Sequence, residues 1–223
     1  VRLTVKKVDG TIKVVPIVRD VVVIEETYAK SLLIEAPNNK KYGYLALEGF
    51  YAAFGKQNGR SCAKDVYNEL VALNKDSVQG LILDLRNNGG GSAADYMIDI
   101  MTREVMGYFN SKANDNRPWT TPMAGLYGPK VMIINERAGS GGDLLPYMFK
   151  FKDIGPLVGT RTWGGLVGTW DTPRFIDGGY MIAPRGGFFD VDGEWAVEAE
   201  GVAPDIEVIQ EPKALMEGGD PQL

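Results

Sequence analysis

Ser140 lies where a reversal of the chain would expose its hydroxyl group. An apolar run at 131–135 precedes it, and Gly141-Gly142-Asp143 leads from it into a second apolar run at 144–151. This order predicts a strand, a tight turn and a helix, with glycines that leave the hydroxyl unobstructed. Backbone amides at the start of such a helix can stabilise a developing oxyanion. The pattern fits a nucleophilic serine, and it also fits a helix start in which Ser140 and Asp143 form a capping box.

A second glycine-rich turn follows the apolar run at 78–85 and reads Arg86-Asn87-Asn88-Gly89-Gly90-Gly91-Ser92. Its Gly89-x-Gly91-x-x-Ala94 spacing fits a dinucleotide-binding fingerprint, which also needs a second strand soon after the helix. The polar, Pro- and Asn-rich stretch at 106–128 follows instead. A bare backbone amide here could supply half of an oxyanion hole. A simple strand-to-helix connection is the third interpretation.

An acidic turn lies near the C-terminus, where Glu198-Ala-Glu200-Gly-Val-Ala-Pro-Asp205 precedes a short predicted strand at 206–209. A solvated pair of surface carboxylates is the default interpretation of this spacing. A catalytic carboxylate is the alternative.

The composition excludes several classes of function. The 24 basic and 29 acidic side chains give a net charge of −5, so the chain has no basic field for a nucleic-acid backbone. The single cysteine excludes a Cys-rich zinc site, and the absence of histidine removes the commonest general base and metal ligand. No apolar stretch reaches the roughly 18–20 residues that a membrane span requires.

The remaining pattern predicts an α/β protein. Residues 1–20 alternate around Asp9-Gly10, which indicates a β-hairpin, and 21–24 leads out of it. From residue 42 onward, predicted strands (42–47, 78–85, 130–135, 157–162) alternate with predicted helices (61–75, from 92, 144–151), and 106–128 is predicted to be a loop. Because a hairpin alone is only marginally stable, we expect residues 1–20 to be the remnant of another domain. A first residue other than Met fits a processed chain or a fragment.

Four blocks carry a resemblance to a known family: Gly80-Leu-Ile-Leu-Asp-Leu-Arg-Asn-Asn-Gly-Gly-Gly91, Asn135-Glu-Arg-Ala-Gly-Ser-Gly-Gly-Asp143, Gly159-Thr-Arg-Thr-Trp-Gly-Gly-Leu-Val-Gly168 and Val197-Glu-Ala-Glu-Gly-Val-Ala-Pro-Asp-Ile206. With them, residues 40–223 resemble the tail-specific, or C-terminal processing, serine peptidases and above all their tricorn branch. The resemblance implies a crotonase/ClpP-like layered α/β core with a mostly parallel sheet, preceded by the last strands of a PDZ-like domain. The expected domains are a PDZ-like remnant and linker at 1–26 and a peptidase core at 27–223.

The resemblance also implies roles for residues. Ser140 would be the nucleophile, the N–H groups of Gly91 and Gly141 would form the oxyanion hole, and Gly90 would help to bind the substrate. Glu198 would match the carboxylate that, in the tricorn branch, acts through a second serine to orient the catalytic histidine.

The general base is missing from these blocks. Bacterial processing peptidases have a lysine in a Thr-Phe-Gly-Lys-Gly-like block, where this chain has Gly165. The tricorn branch uses a histidine upstream of its PDZ domain, which would lie outside this chain. Since a serine hydroxyl needs an adjacent base, we expect the chain alone to be almost inactive.

The sequence Gly107-Tyr108-Phe109 matches a segment that, in the tricorn branch, reaches over from a neighbouring subunit with an acidic residue and favours basic substrate side chains. Phe109 in that place predicts an apolar substrate pocket. The expected protein is a homo-oligomeric serine endopeptidase that acts on unfolded proteins or oligopeptides, with no cofactor, no metal, no membrane span and no nucleic-acid partner. Both an exported and a cytoplasmic location stay open.

Two other functions remain as alternatives. One is a non-catalytic module that binds a ligand or peptide on the same fold, because fold does not determine function. The other is a nucleotide-dependent oxidoreductase, which rests on the glycine triplet alone.

Overall fold

The computed structural model describes residues 1–19, 25–52 and 59–223. It opens with the predicted hairpin, in which β1 (Arg2–Lys6) pairs antiparallel with β2 (Ile12–Pro16). The Asp9 carboxylate accepts hydrogen bonds from the backbone and the hydroxyl of Thr11 and so fixes the turn. The hairpin prediction is confirmed, and the predicted exit at 21–24 lies outside the described residues.

A six-stranded sheet forms the centre of the molecule, in the order β10-β9-β8-β5-β4-β3. Its strands are β3 (Lys30–Ala36), β4 (Lys40–Ala46), β5 (Leu81–Asp84), β8 (Lys130–Ile134), β9 (Leu157–Gly159) and β10 (Ile206–Glu207). All neighbours pair in parallel except the edge strand β3, which is antiparallel to β4. The prediction of an α/β fold with a mostly parallel sheet is therefore confirmed, and β3 is a strand that the sequence did not predict.

The helices are α1 (Cys62–Lys75), α2 (Ala94–Met101), α3 (Gly141–Phe151) and the short α4 (Pro212–Met216). The chain moves steadily from β4 to β9 across the sheet, so right-handed crossovers place α1, α2 and α3 on one face. The core lies between this face and the helices, where Leu45, Leu83 and Met132 of the strands meet Leu70 and Phe149, all of them fully buried.

The stretch at 106–128 is not a loop, so that prediction is wrong. It contains a second antiparallel hairpin, β6 (Gly107–Phe109) with β7 (Trp119–Thr121), and the rings of Phe109 and Trp119 stack across it at 6.1 Å. Strands of three residues with polar neighbours carry too few alternating positions to be recognised from a sequence.

Other elements begin or end a few residues from their predicted bounds, as α3 does by starting at Gly141. In the part of the chain that the structure describes, no helix has both the length and the apolar character to span a bilayer.

Candidate active site

Ser140 joins the end of β8 to the start of α3 in an unusual backbone conformation, with φ 55° and ψ −118°. A positive φ is uncommon for a residue with a Cβ and indicates a strained turn. A strained turn between a strand and a helix, with serine at its tip, is the arrangement of a nucleophile elbow. The half-buried Ser140 side chain makes no capping hydrogen bond, so the capping-box interpretation is wrong.

Asp143 has a different role from the one a capping box would give it. Its carboxylate is fully buried and accepts hydrogen bonds from the backbone N–H groups of Gly164 (2.8 Å) and Gly165 (3.0 Å). These glycines belong to residues 162–167, which we call the strap. The N–H of Trp163 in the strap donates to the carbonyl of Ala138 at 2.8 Å. The strap is therefore attached to the chain on both sides of Ser140.

The glycine triplet lies directly against the Ser140 turn. Gly90 has φ +98°, and a Cβ added to it would lie 2.6 Å from the backbone nitrogen of Gly141 and from the Cβ of Ser140. A Cβ added to Gly141 would lie 3.1 Å from the backbone nitrogen of Gly91. The structure thus brings together Ser140, Gly141, Gly90 and Gly91, with the Gly91 backbone nitrogen beside Gly141, the residue that follows the serine.

This contact bears on the nucleotide hypothesis. The space beside the triplet, where a pyrophosphate would approach, holds the Ser140 turn. After α2 the chain forms the β6–β7 hairpin before it returns to the parallel sheet as β8, so the second strand does not follow the helix as closely as the fingerprint requires.

Phe50 also contacts this site, although no motif in the sequence pointed to it. Its ring carbon Cδ2 would lie 3.0 Å from a Cβ at Gly141, and its carbonyl oxygen 2.7 Å from a Cβ at Gly91. Phe50 follows the carboxyl end of β4. Because ligands in parallel sheets bind at the carboxyl ends of strands, this position was the signal that could have identified it.

Glu198 is attached to the other half of the strap. Its Oε2 accepts hydrogen bonds from the N–H groups of Leu166 and Val167, both at 2.6 Å. The N–H of Ala199 donates to the carbonyl of Gly164 at 2.7 Å. The strap therefore connects Glu198 to the beginning of α3, and the hydrogen bonds of the Glu198 carboxylate go to the strap rather than to Ser140.

Glu198 also lines an open cavity of about 480 Å³, together with Val167, Arg185 and Trp195. Its surface is mainly apolar, although the charged residues Arg185 and Glu198 contribute to the lining.

The resemblance places Gly165 where bacterial processing peptidases have a lysine, and a side chain here would require the 68% exposed ring of Trp163 to move. A Cβ at this position would overlap the ring of Trp163. The sequence contains no histidine. Among the residues at 1–19, 25–52 and 59–223, no three His, Cys, Asp or Glu side chains are grouped so as to hold a metal ion.

Phe109 lies at the opposite end of the sheet from Ser140. The loop after its hairpin is held by Asn74, at the end of α1, whose amide donates to the carbonyls of Met123 (3.2 Å) and Gly125 (2.7 Å). The end of α1 leads into β5 and thus marks the amino ends of the strands, whereas Ser140 follows the carboxyl end of β8. The structure does not bring Phe109 to Ser140 within one chain, and its role across a subunit boundary stays a prediction.

Comparison with known proteins identifies close relatives. The sequence model of peptidase family S41 matches residues 41–208. The tricorn protease of Thermoplasma acidophilum is 39% identical over 151 residues, which make up 68% of this chain and 14% of that protein. The carboxyl-terminal-processing protease of Picosynechococcus sp. is 28% identical over 95% of this chain and 49% of that protein.

Solved structures agree with these sequence matches. The crystal structure of the tricorn protease superposes with a TM-score of 0.69 at 34% identity and covers 81% of this chain and 16% of that one. The photosystem II D1 C-terminal processing protease, at 19% identity, has the same fold with a TM-score of 0.63 and covers 89% of this chain and 52% of that one.

The chain spans a small part of the tricorn proteases and about half of the carboxyl-terminal-processing protease. The family match nevertheless covers most of this chain, including Ser140, the glycine triplet and Glu198. The chain belongs to peptidase family S41, in its tricorn-like branch.

Proposed function

We propose that this chain is the core of a serine endopeptidase that cuts unfolded proteins or oligopeptides through an acyl-enzyme at Ser140. One observation carries the proposal. The Ser140 side chain lies at a strained strand-to-helix turn, makes no capping hydrogen bond, and adjoins a glycine triplet whose Gly90 contacts Ser140 and whose Gly91 contacts Gly141. Serine peptidases need such a hydroxyl next to preorganised donors.

In this mechanism the Ser140 Oγ bonds to the scissile carbonyl carbon while its proton passes to a general base. The carbonyl oxygen becomes an oxyanion that accepts hydrogen bonds from the N–H groups of Gly91 and Gly141. The C–N bond then breaks, and the base returns the proton to the leaving amine. Water hydrolyses the resulting ester and frees Ser140.

The general base in this proposal is a histidine outside this chain, because the chain has none. Glu198 acts on it through a second serine. Its Oε2 is fixed by two strap amides, which leaves Oε1 for that serine. Without the histidine, the chain alone is almost inactive.

The proposed organisation of the molecule has a PDZ-like remnant at 1–26 and a peptidase core at 27–223. In the hairpin, every residue of β1 and β2 except Val15 is exposed, which fits strands that belong to another domain. We place Phe109 of one copy in the apolar substrate pocket of another copy, since it is 59% exposed and distant from Ser140 of its own chain. The protein in this proposal is a homo-oligomer.

A peptidyl boronic acid with an apolar terminal side chain tests the nucleophile directly. Boron forms a tetrahedral adduct with a serine oxygen and mimics the transition state without a turnover step. We expect the wild-type chain to form the adduct, observed by boron NMR and titration calorimetry, and Ser140→Ala to lose it. Ser92→Ala is the matched control, because Ser92 is an exposed serine beside the other glycine-rich turn.

Equal binding by the wild type and Ser140→Ala would contradict the nucleophile assignment and favour a non-catalytic binding module. In a longer protein that includes the histidine, we expect peptide hydrolysis that Ser140→Ala abolishes.

A further inference from the structure

Asn88 is completely buried in the turn that follows β5, and each of its polar groups has a partner. Its side-chain nitrogen donates to the carbonyl of Leu47 at 2.8 Å, and its side-chain oxygen accepts from the N–H of Gly90 at 2.9 Å. Its backbone carbonyl accepts from the N–H of Gly139 at 3.0 Å, and its backbone N–H donates to the carbonyl of Leu85 at 3.2 Å. A buried amide with all its groups paired holds its neighbours firmly.

The partners of Asn88 belong to the three chain segments that form the proposed site. Leu47 leads from β4 toward Phe50, Gly90 lies in the glycine triplet, and Gly139 directly precedes Ser140. Asn88 therefore contacts all three of these segments. Gly142 approaches the same residue so closely that a Cβ there would overlap the Asn88 carbonyl.

We propose that Asn88 is the positioning residue of the oxyanion hole, an inference that rests on the proposed function. The two donors of the hole, Gly91 and Gly141, lie on different turns and must converge on one oxygen atom. The Asn88 side chain ties Gly90 to Leu47, and the Asn88 backbone carbonyl ties the same turn to Gly139. A displacement of either donor by about 1 Å weakens transition-state binding by about a hundredfold.

An amide meets this need because it offers both N–H donors and an oxygen acceptor on the same planar group. An ionised carboxylate of the same shape offers two acceptors, so one of its oxygens would face the Leu47 carbonyl without a hydrogen atom between them. A protonated carboxyl restores the donor. The variant Asn88→Asp is thus an isosteric switch whose effect depends on pH.

The experiment measures the affinity of the peptidyl boronic acid for Asn88→Asp relative to the wild type at each pH. Near pH 8 we expect binding weaker by about tenfold or more, and at about pH 5 a recovery toward the wild-type value, because burial raises the pKa of the introduced carboxyl. Thermal unfolding of each variant at each pH reports the folded fraction.

Asn135→Asp is the matched control. The Asn135 amide also joins the two turns, accepting from the N–H of Asn87 at 2.9 Å and donating to the Asn87 side chain at 3.0 Å. The variant Asn135→Asp makes the same chemical change as Asn88→Asp, at a half-exposed position that does not contact the triplet. We expect its affinity to stay within about twofold of the wild type at every pH.

The outcomes separate this inference from the proposed function. If the wild type forms an adduct that Ser140→Ala loses, but Asn88→Asp binds as the wild type does at every pH, the role of Asn88 is overturned and the nucleophile stands. A loss of affinity that only follows the unfolded fraction also overturns it. If the wild type forms no adduct, both proposals fail together.

Asn88→Ser is a second variant that tests the proposal if Asn88→Asp does not fold at neutral pH. Its shorter hydroxyl can still accept from the N–H of Gly90 and cannot reach the Leu47 carbonyl. We expect a folded protein with adduct affinity between those of the wild type and Asn88→Asp. Wild-type affinity in folded Asn88→Ser contradicts the proposal.

Discussion

At the scale of single residues, the site depends on the absence of side chains as much as on their presence. Gly90→Ala places a Cβ 2.6 Å from the Ser140 Cβ and the Gly141 nitrogen, at a backbone φ of +98° that alanine rarely adopts. The two turns must then separate. We expect the boronic-acid adduct to weaken by about a hundredfold or more, as measured by titration calorimetry.

The neighbouring glycine provides the control for this prediction. A Cβ at Gly89 meets no atom within 4 Å, and its backbone needs no positive φ. Gly89→Ala should therefore bind the boronic acid as the wild type does. Equal affinities for the two variants would show that the triplet does not hold the nucleophile turn in the way the contacts indicate.

The sequence predicts some residues of the site better than others. Ser140, Gly90, Gly91 and Gly141 stand in local glycine-rich patterns, and the structure brings these four together. Asn88 was not identified, because an asparagine beside glycines is typical of any turn. Its bond to Leu47 joins residues 41 positions apart, and no local pattern reports such a contact.

At the scale of elements, the strap connects the nucleophile turn to Glu198 through Asp143. Asp143→Ala removes the acceptor of two backbone N–H groups at a fully buried position and leaves both unpaired. We expect a loss of about 2–4 kcal/mol in the free energy of unfolding, measured in urea. We also expect faster amide exchange throughout the strap.

Asp190→Ala is the matched comparison, because the Asp190 carboxylate also accepts from two backbone N–H groups, those of Asp192 and Glu194, at an exposed turn. Water replaces these bonds, so its loss of stability should be clearly smaller. If Asp190→Ala loses as much free energy of unfolding as Asp143→Ala, the burial of the strap hydrogen bonds does not add to stability.

Whether an element could be predicted depended on its burial and length. The strands β5 and β8 and the helix α1 were predicted because their core faces are apolar, and Ser61 caps α1 as its position indicates. The edge strand β3 and the β6–β7 hairpin are largely unburied and lack this signal. The sequence predicts a later start for α3 than Gly141, since two glycines disfavour a helix and are needed here for close contact with the triplet turn.

At the scale of the whole molecule, the C-terminal tail is bonded to Arg86 at the face of the sheet opposite the three large helices. Tyr44 and Asp84 point to this face, opposite Leu45 and Leu83, because side chains alternate along strands. The Arg86 guanidinium bonds to the carboxylates of Asp84 and Asp220. Arg86 lies in the glycine-triplet block and Asp220 in the tail, so this pair joins the tail to the turn after β5.

This anchor predicts how stability depends on acid. The hydrogen bonds with Arg86 lower the pKa of Asp220 from its ordinary 3.8 to about 2. A depressed pKa in the folded state contributes stability above the ordinary pKa, and the contribution is lost as pH falls from about 4 toward 2. Solvent screening at this partly exposed carboxylate limits the contribution to about 1–2 kcal/mol.

We therefore expect Asp220→Asn to lower the free energy of unfolding in urea at neutral pH, and its difference from the wild type to shrink toward zero near pH 2. The control is Asp171→Asn, since the Asp171 carboxylate is 81% exposed and lies 3.5 Å from Arg185, where an ion pair contributes little at any pH. If the difference in the free energy of unfolding between Asp220→Asn and the wild type stays as large in acid, the tail is held by packing rather than by this carboxylate. If this difference disappears near pH 2, the Arg86–Asp220 pair is the electrostatic link between the C-terminal tail and the turn that carries the glycine triplet.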